Sequence, residues 1–203
     1  EGFLTPFAGF GVDAVVLHDY AEVKAALAHT PLRRYAAGPA SYALAAITRS
    51  IPSYFFRPVP HCRVINEGAE AQRIGEQGAI LGQPIPRGET IYEGPARIVG
   101  LATIPNYGFG FRMFPFADER QDRMQLRVST IGPLAFVQHF GAIWRGEYHD
   151  PAIVFDYLVD AVRIEMDPPT VFQIGGDAQG PRSSVRAQVS RHPIRLVDFY
   201  APP

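Results

Sequence analysis

The chain has one cysteine, no block of basic residues and no long apolar run, and each shortage closes off a class of protein. With Cys62 alone there is neither an intramolecular disulfide nor the companion thiols of a zinc or redox motif, which fits a reducing cytosol. Cys62 itself reads as a buried strand residue. A formal net charge of −1 without a Lys or Arg cluster leaves no electrostatic footprint for nucleic acid or an anionic surface, and nucleic acid is not expected as a partner. No apolar stretch approaches the roughly 20 residues needed to cross a bilayer, and the opening EGFLTPFAGFG lacks the basic and apolar regions of a signal peptide. The sequence reads as soluble. It starts on Glu1 rather than Met, in a segment (residues 3–10) with strand character, as expected of a fragment or a processed product.

What is present is a globular composition: 203 residues, 47% hydrophobic and 19% charged, enough for one large domain or two small ones. Helical signals are few. Asp19 and Glu22 resemble a capping box ahead of Val23, Ala26 and Leu27, and Gly38-Pro39 opens a second segment that runs to Pro52. A third helix is predicted over 133–144, with Gly146 as its stop. Most of the rest reads as strand. Met124, Leu126 and Val128 alternate with Gln125, Arg127 and Ser129, and Val162, Ile164 and Met166 alternate with Arg163 and Glu165, each pattern predicting a sheet with one wet face. Further strands are predicted at 62–65, 90–93, 98–104, 185–189 and 194–197.

Many short strands punctuated by Gly and Pro predict a mainly β (α+β) fold, a two-sheet β-sandwich with a few peripheral helices. Residues 66–88, rich in Gly, Gln and Glu, are expected to form a mobile surface excursion. No internal repeat is present.

Several motifs carry little. GFGVDA at 9–14 matches a loose dinucleotide pattern, but Val12, Ala14, Val15 and Val16 read as continuing strand where that fingerprint needs a helix. The six histidines show no metal-ligand spacing and no GxSxG elbow occurs, so neither a zinc site nor a serine nucleophile is expected.

The segment IPNYGFGFRMFPFA at 104–117 is different. Gly108 and Gly110 between large aromatics predict a strand whose backbone another group can approach closely, ended by Pro115. Phe109, Phe111, Met113, Phe114 and Phe116 are candidates to line a pocket, or else core. Asp118, Glu119 and Asp122 follow in a turn, and Asp177 lies in a second glycine turn with Gly175 and Gly176, in FQIGGDAQG at 172–180. If the two turns meet, their carboxylates could hold a hydrated Mg²⁺ or accept a proton from a hydroxyl. Otherwise these are the acids and glycines of ordinary exposed turns.

These segments resemble the C-terminal half of the bacterial diacylglycerol kinase and sphingosine kinase-like lipid kinases. FAGFGVDAVV (7–16) is similar to the strand-turn-strand that begins their second domain, and GPASYALAAI (38–47) to the following helix. Gly108 and Gly110 match two positions of the family's triple glycine, with Phe109 at the third, and Pro115 and Ala117 match its P-x-A. The resemblance spans essentially residues 1–203 and implies a C-terminal lipid-binding β-sandwich. The family's N-terminal ATP-binding GGDGT motif is absent from this sequence. It further implies ATP and Mg²⁺ as cofactors, a diacylglycerol-like lipid and an N-terminal nucleotide-binding domain as partners, and a cytoplasmic location peripheral to the membrane.

By the same resemblance Asp177 and Asp122 are the catalytic candidates, with Asp118 beside them at the metal. An ungapped alignment from Ala117 places Gln121 and Asp122 at the family's Asp-Gly metal-linked turn and Gln125 at another acidic position, whereas a one-residue shift places Asp122 at the acid. Gly175-Gly176-Asp177 stands where the family has Asp-Gly-Glu, so Gly175 occupies the position of the base. Three readings follow: a lipid kinase when joined to its nucleotide-binding domain, a non-catalytic lipid-binding relative, and a structural sandwich whose aromatics are all core.

Overall fold

Alternation and turn residues resolve into ten strands among the described residues: β1 (Phe7–Gly11), β2 (His61–Asn66), β3 (Ala71–Ile74), β4 (Ile80–Ile85), β5 (Thr90–Pro95), β6 (Ile98–Ala102), β7 (Met124–Ser129), β8 (Val154–Val159), β9 (Ala161–Ile174) and β10 (Asp177–Gln188). The computed structural model describes residues 2–11, 14, 58–107 and 110–192. The helices expected over 19–29 and 39–52, the strand at 194–197, and Gly108 and Phe109 lie outside them.

The fold is mainly β. All strand pairs are antiparallel. They join into one sheet of order β4-β3-β8-β7-β6-β1-β9-β2-β5, with β10 also paired to β9. Two separate sheets were the expectation. Continuity comes from β9, whose 14 residues pair first with β2 (Asn66↔Val162 to His61↔Asp167) and then with β1 (Phe10↔Phe172 to Ala8↔Ile174). The sheet curls until it nearly closes. Tyr92 on edge strand β5 meets Phe155 on β8 with ring centroids 5.2 Å apart, and the interior holds Phe10, Val64, Val99, Leu126, Val159 and Ile164, each 1% exposed or less.

Asn66 latches the curl. Its side-chain amide, fully buried, donates to the carbonyls of Ala69 (2.7 Å) and Ile85 (2.9 Å), and its oxygen accepts from the Gly68 amide (3.1 Å). Residues 66–88, expected as a mobile excursion, therefore contain β3 and β4 and form one edge of the sheet. Pro84 is tolerated in β4 because an edge strand has one unpaired side.

A second correction concerns β7. Its predicted wet face is buried: Gln125, Arg127 and Ser129 are 0%, 5% and 3% exposed. The reason is a second layer over the outer face of β6 and β7, made by residues 104–107 and 110–117 and two short helices, α1 (Pro133–Gln138) and α2 (Phe140–Arg145). The single helix predicted over 133–144 breaks at His139 (φ −104°, ψ 11°), and Gly141 weakens the following turn. Gly146 ends it in the left-handed region, as predicted (φ 73°).

Strand β1 is antiparallel to both β6 and β9, so GFGVDA is not the parallel βαβ opening that the dinucleotide fingerprint needs. Ala14 is helical, not part of the continuing strand that the valine pattern suggests. Cys62 is fully buried in β2, as expected. No helix among the described residues is long and apolar enough to cross a membrane.

Candidate functional site

The buried outer face of β7 carries charge, which must be paired to be tolerated there. Register places Arg127 opposite Asp156 on β8. Arg127 donates twice, Nε to Oδ1 at 2.8 Å and Nη2 to Oδ2 at 2.9 Å, in the planar fork that suits a carboxylate. Gln125 donates to the same Asp156 (2.7 Å) and accepts the Phe116 amide (2.8 Å), tying the end of 104–117 to the sheet. Gln125 thus serves a structural role in this layer.

Above this polar floor lies an apolar cavity of about 70 Å³, walled by Tyr107, Phe111, Met113, Ile131, Phe136 and Ile143, with Arg127 and Ser129 beneath. The cavity lies outside the curled sheet, whose interior is filled by its own side chains. The described residues of this segment, 104–107 and 110–117, build one wall: Phe111 makes an isolated bridge and the others are turns, bends or irregular backbone. The Tyr107 amide donates to the Phe111 carbonyl (2.8 Å), and Gly110 takes φ +80°. Among the described residues nothing lies within 4 Å of a Cβ built on Gly110, and its positive φ is a conformation that glycine suits. Close approach occurs instead at Gly100 in β6, where a Cβ would stand 2.7 Å from the Phe114 ring, a role that the sequence did not mark.

Of the expected pocket residues, Phe111 and Met113 line the cavity. Phe114 packs over Gly100, and Phe116 forms a separate cluster with Ile74 and Leu158. Gly108 and Phe109 lie outside the described residues. Phe111 also stacks on Trp144 (5.2 Å, 12°), the chain's single tryptophan.

The second glycine turn stands next to this cavity. Asp177 pairs with Ile174, so Gly175 and Gly176 form a two-residue hairpin loop, and both take positive φ (58° and 91°), the primed-turn conformation that glycine suits. Gln173, fully buried, accepts the Gly176 amide (2.8 Å) and donates to the Tyr107 hydroxyl. One glutamine thereby joins the hairpin to a cavity wall. The Gly175 amide is held by the Phe7 carbonyl (3.0 Å). Asp177 is exposed, and its carboxylate has no hydrogen bond or ion pair among the described residues.

The acidic turn at 118–122 has other neighbours. Asp122 accepts two hydrogen bonds from Arg120 (2.9 and 2.7 Å), which hold its carboxyl below the usual range, and Arg123 lies 3.6 Å away while also pairing with Asp160. Glu119 lies near Gly78 in the β3–β4 turn. Asp118, Asp122 and Asp177 are not brought together: no group of three metal-ligating side chains occurs among the described residues. Those residues do not by themselves fit a magnesium site.

No protein-family model matches the sequence, and no curated protein matches it. Solved structures do. Two provisionally assigned diacylglycerol kinases from Bacillus anthracis str. Sterne match at 12% identity and a TM-score of 0.41, and at 11% and 0.38. A third, described as a diacylglycerol kinase from the same organism, matches at 16% and 0.39. Each match covers 92% of this chain, which spans about half the length of those structures (51%, 50% and 50%).

Proposed function

We propose that this chain is the C-terminal, lipid-binding part of an ATP-dependent lipid kinase acting on diacylglycerol or a similar lipid alcohol. The observation that carries the reading is the link Tyr107–Gln173–Gly176, which ties an apolar cavity to the hairpin bearing Asp177. A lipid alcohol needs that combination: an apolar slot for part of a tail, and a carboxylate near the hydroxyl to take its proton. The motifs at 104–117 and 172–180 point to the same family. Nucleotide and metal would be held mainly by a separate nucleotide-binding domain, since phosphoryl transfer is largely positioning and charge stabilisation around the phosphates. Asp177 is assigned here as the carboxylate closest in role to the family's turn, with Asp122 and Asp118 as helpers only if another domain draws them toward it.

Gly175 favours a second reading, a lipid-binding relative without transfer. It has no side chain at the family's base position, and its place in the hairpin loop accounts for it structurally. The test is to assay the longest natural polypeptide containing this chain with ATP, Mg²⁺ and diacylglycerol, beside Asp177→Ala and Gly175→Asp. Aspartate is among the residues that tolerate a positive φ, and its Cβ would need only a small shift of Thr5 Oγ1, 3.2 Å away. Turnover that Asp177→Ala abolishes supports the kinase. Turnover untouched by it overturns the assignment of Asp177. Lipid binding without turnover, with turnover gained in Gly175→Asp, supports the second reading.

A further inference from the structure

The outer surface of β9 and β10 sets two arginines directly side by side, a feature that the lipid-kinase reading does not use. Alternation sends Val162 and Ile164 inward, both fully buried, and Arg163 outward. Antiparallel pairing then sets Arg186 of β10 directly opposite Arg163. Like charges in that position repel. A single carboxylate spans them: Glu67 meets Arg163 Nε at 3.1 Å with one oxygen and Arg186 Nε at 3.3 Å with the other. Arg163 also pairs with Glu165, which does not line the cleft described next.

Arg87, in the turn between β4 and β5, lines the same cleft as this pair. It is exposed and makes no hydrogen bond or ion pair among the described residues. The three arginines and Glu67, with Asn66, Gly88 and Gln188, line an open and largely polar surface cleft of about 520 Å³. Of these arginines Arg163 and Arg186 share Glu67, and Arg163 is further neutralised by Glu165, so the excess positive charge at the cleft is that of one guanidinium, with Arg87 as the arginine that has no partner among the described residues. A phosphate group satisfies such an arrangement, because a guanidinium presents paired donors that match its oxygens.

We infer that this cleft binds a phosphate group, either free phosphate or the headgroup of a phospholipid, held by Arg87 and Arg186 while the Arg163–Glu67 pair fixes their spacing. The cleft shares no lining residue with the apolar cavity, so the inference stands independently of the lipid-kinase reading.

The test uses the whole chain, titrated calorimetrically with inorganic phosphate against chloride at equal ionic strength, and co-sedimented with phosphatidylcholine vesicles with and without phosphatidic acid. Arg87→Gln and Arg186→Gln sit at exposed positions, and a melting curve checks that each still folds. The expected result is binding in at least one arm, weakened about tenfold or more in each variant at unchanged melting temperature, as removal of a charged hydrogen bond predicts. Binding of inorganic phosphate identifies a free phosphate or its esters, and binding of phosphatidic acid vesicles alone identifies a headgroup. No binding in either arm, or binding that both variants leave unchanged, overturns the inference.

Discussion

At Asp156 one carboxylate takes three hydrogen bonds in a place that water scarcely reaches, 4% exposed. Removing it leaves Arg127 as a buried, unpaired charge, so Asp156→Ala should destabilise the fold by about 3–5 kcal/mol, whereas replacing both partners with apolar residues of similar volume should cost far less. Urea denaturation of the single and double variants measures the difference. Cys62 behaves oppositely, because burial favours its neutral form and pushes the thiol up to about 12 from an ordinary 9.0. The folded state then holds this proton more tightly than the unfolded chain does. Its contribution to stability is complete below about pH 9 and is lost as pH rises toward 12. Stability measured across that window should fall more steeply in the native sequence than in Cys62→Ala, and equal slopes would refute the shift. Neither role was equally visible in sequence: a lone cysteine in an apolar run reads as buried, but Arg127 on an alternating strand reads as solvated until a second layer covers it.

Strands were legible where alternation was clean, as in β7 and β9, and Gly146 announced the end of α2 through its C-terminal position. The 66–88 segment was misleading because its order comes from one residue outside the pattern. Asn66→Ala would leave the carbonyls of Ala69 and Ile85 and the amide of Gly68 without their partner. A loss of at least about 2 kcal/mol is expected. Hydrogen exchange should rise selectively over residues 69–85, and uniform or unchanged exchange would contradict the latch. The glycine segment was legible as a site builder but not as to its form. Tyr107, Phe111, Phe114 and Phe116 pack across the sheet and the helices rather than along a ladder, and tertiary packing of that kind has no sequence period. The hairpin at Gly175-Gly176 was marked as a turn, yet its tether to Tyr107 depends on a contact 66 residues distant in sequence.

For the whole molecule, the mainly β class followed from strand content, while closure of one sheet depended on β9 serving two sets of neighbours, a matter of long-range pairing. The same closure fills the interior and leaves the apolar cavity outside the sheet, under α1 and α2. This geometry supplies its own reporter, since Trp144 is the chain's only tryptophan and stacks on Phe111, a cavity wall. The most direct test of the lipid-binding claim is a titration of the protein with a short-chain diacylglycerol, followed by Trp144 fluorescence. A saturable change in emission, abolished or strongly weakened by Ile143→Phe in a protein that still folds, is the predicted result. Emission that does not change, or that changes equally in the filled variant, would contradict a lipid site at this cavity.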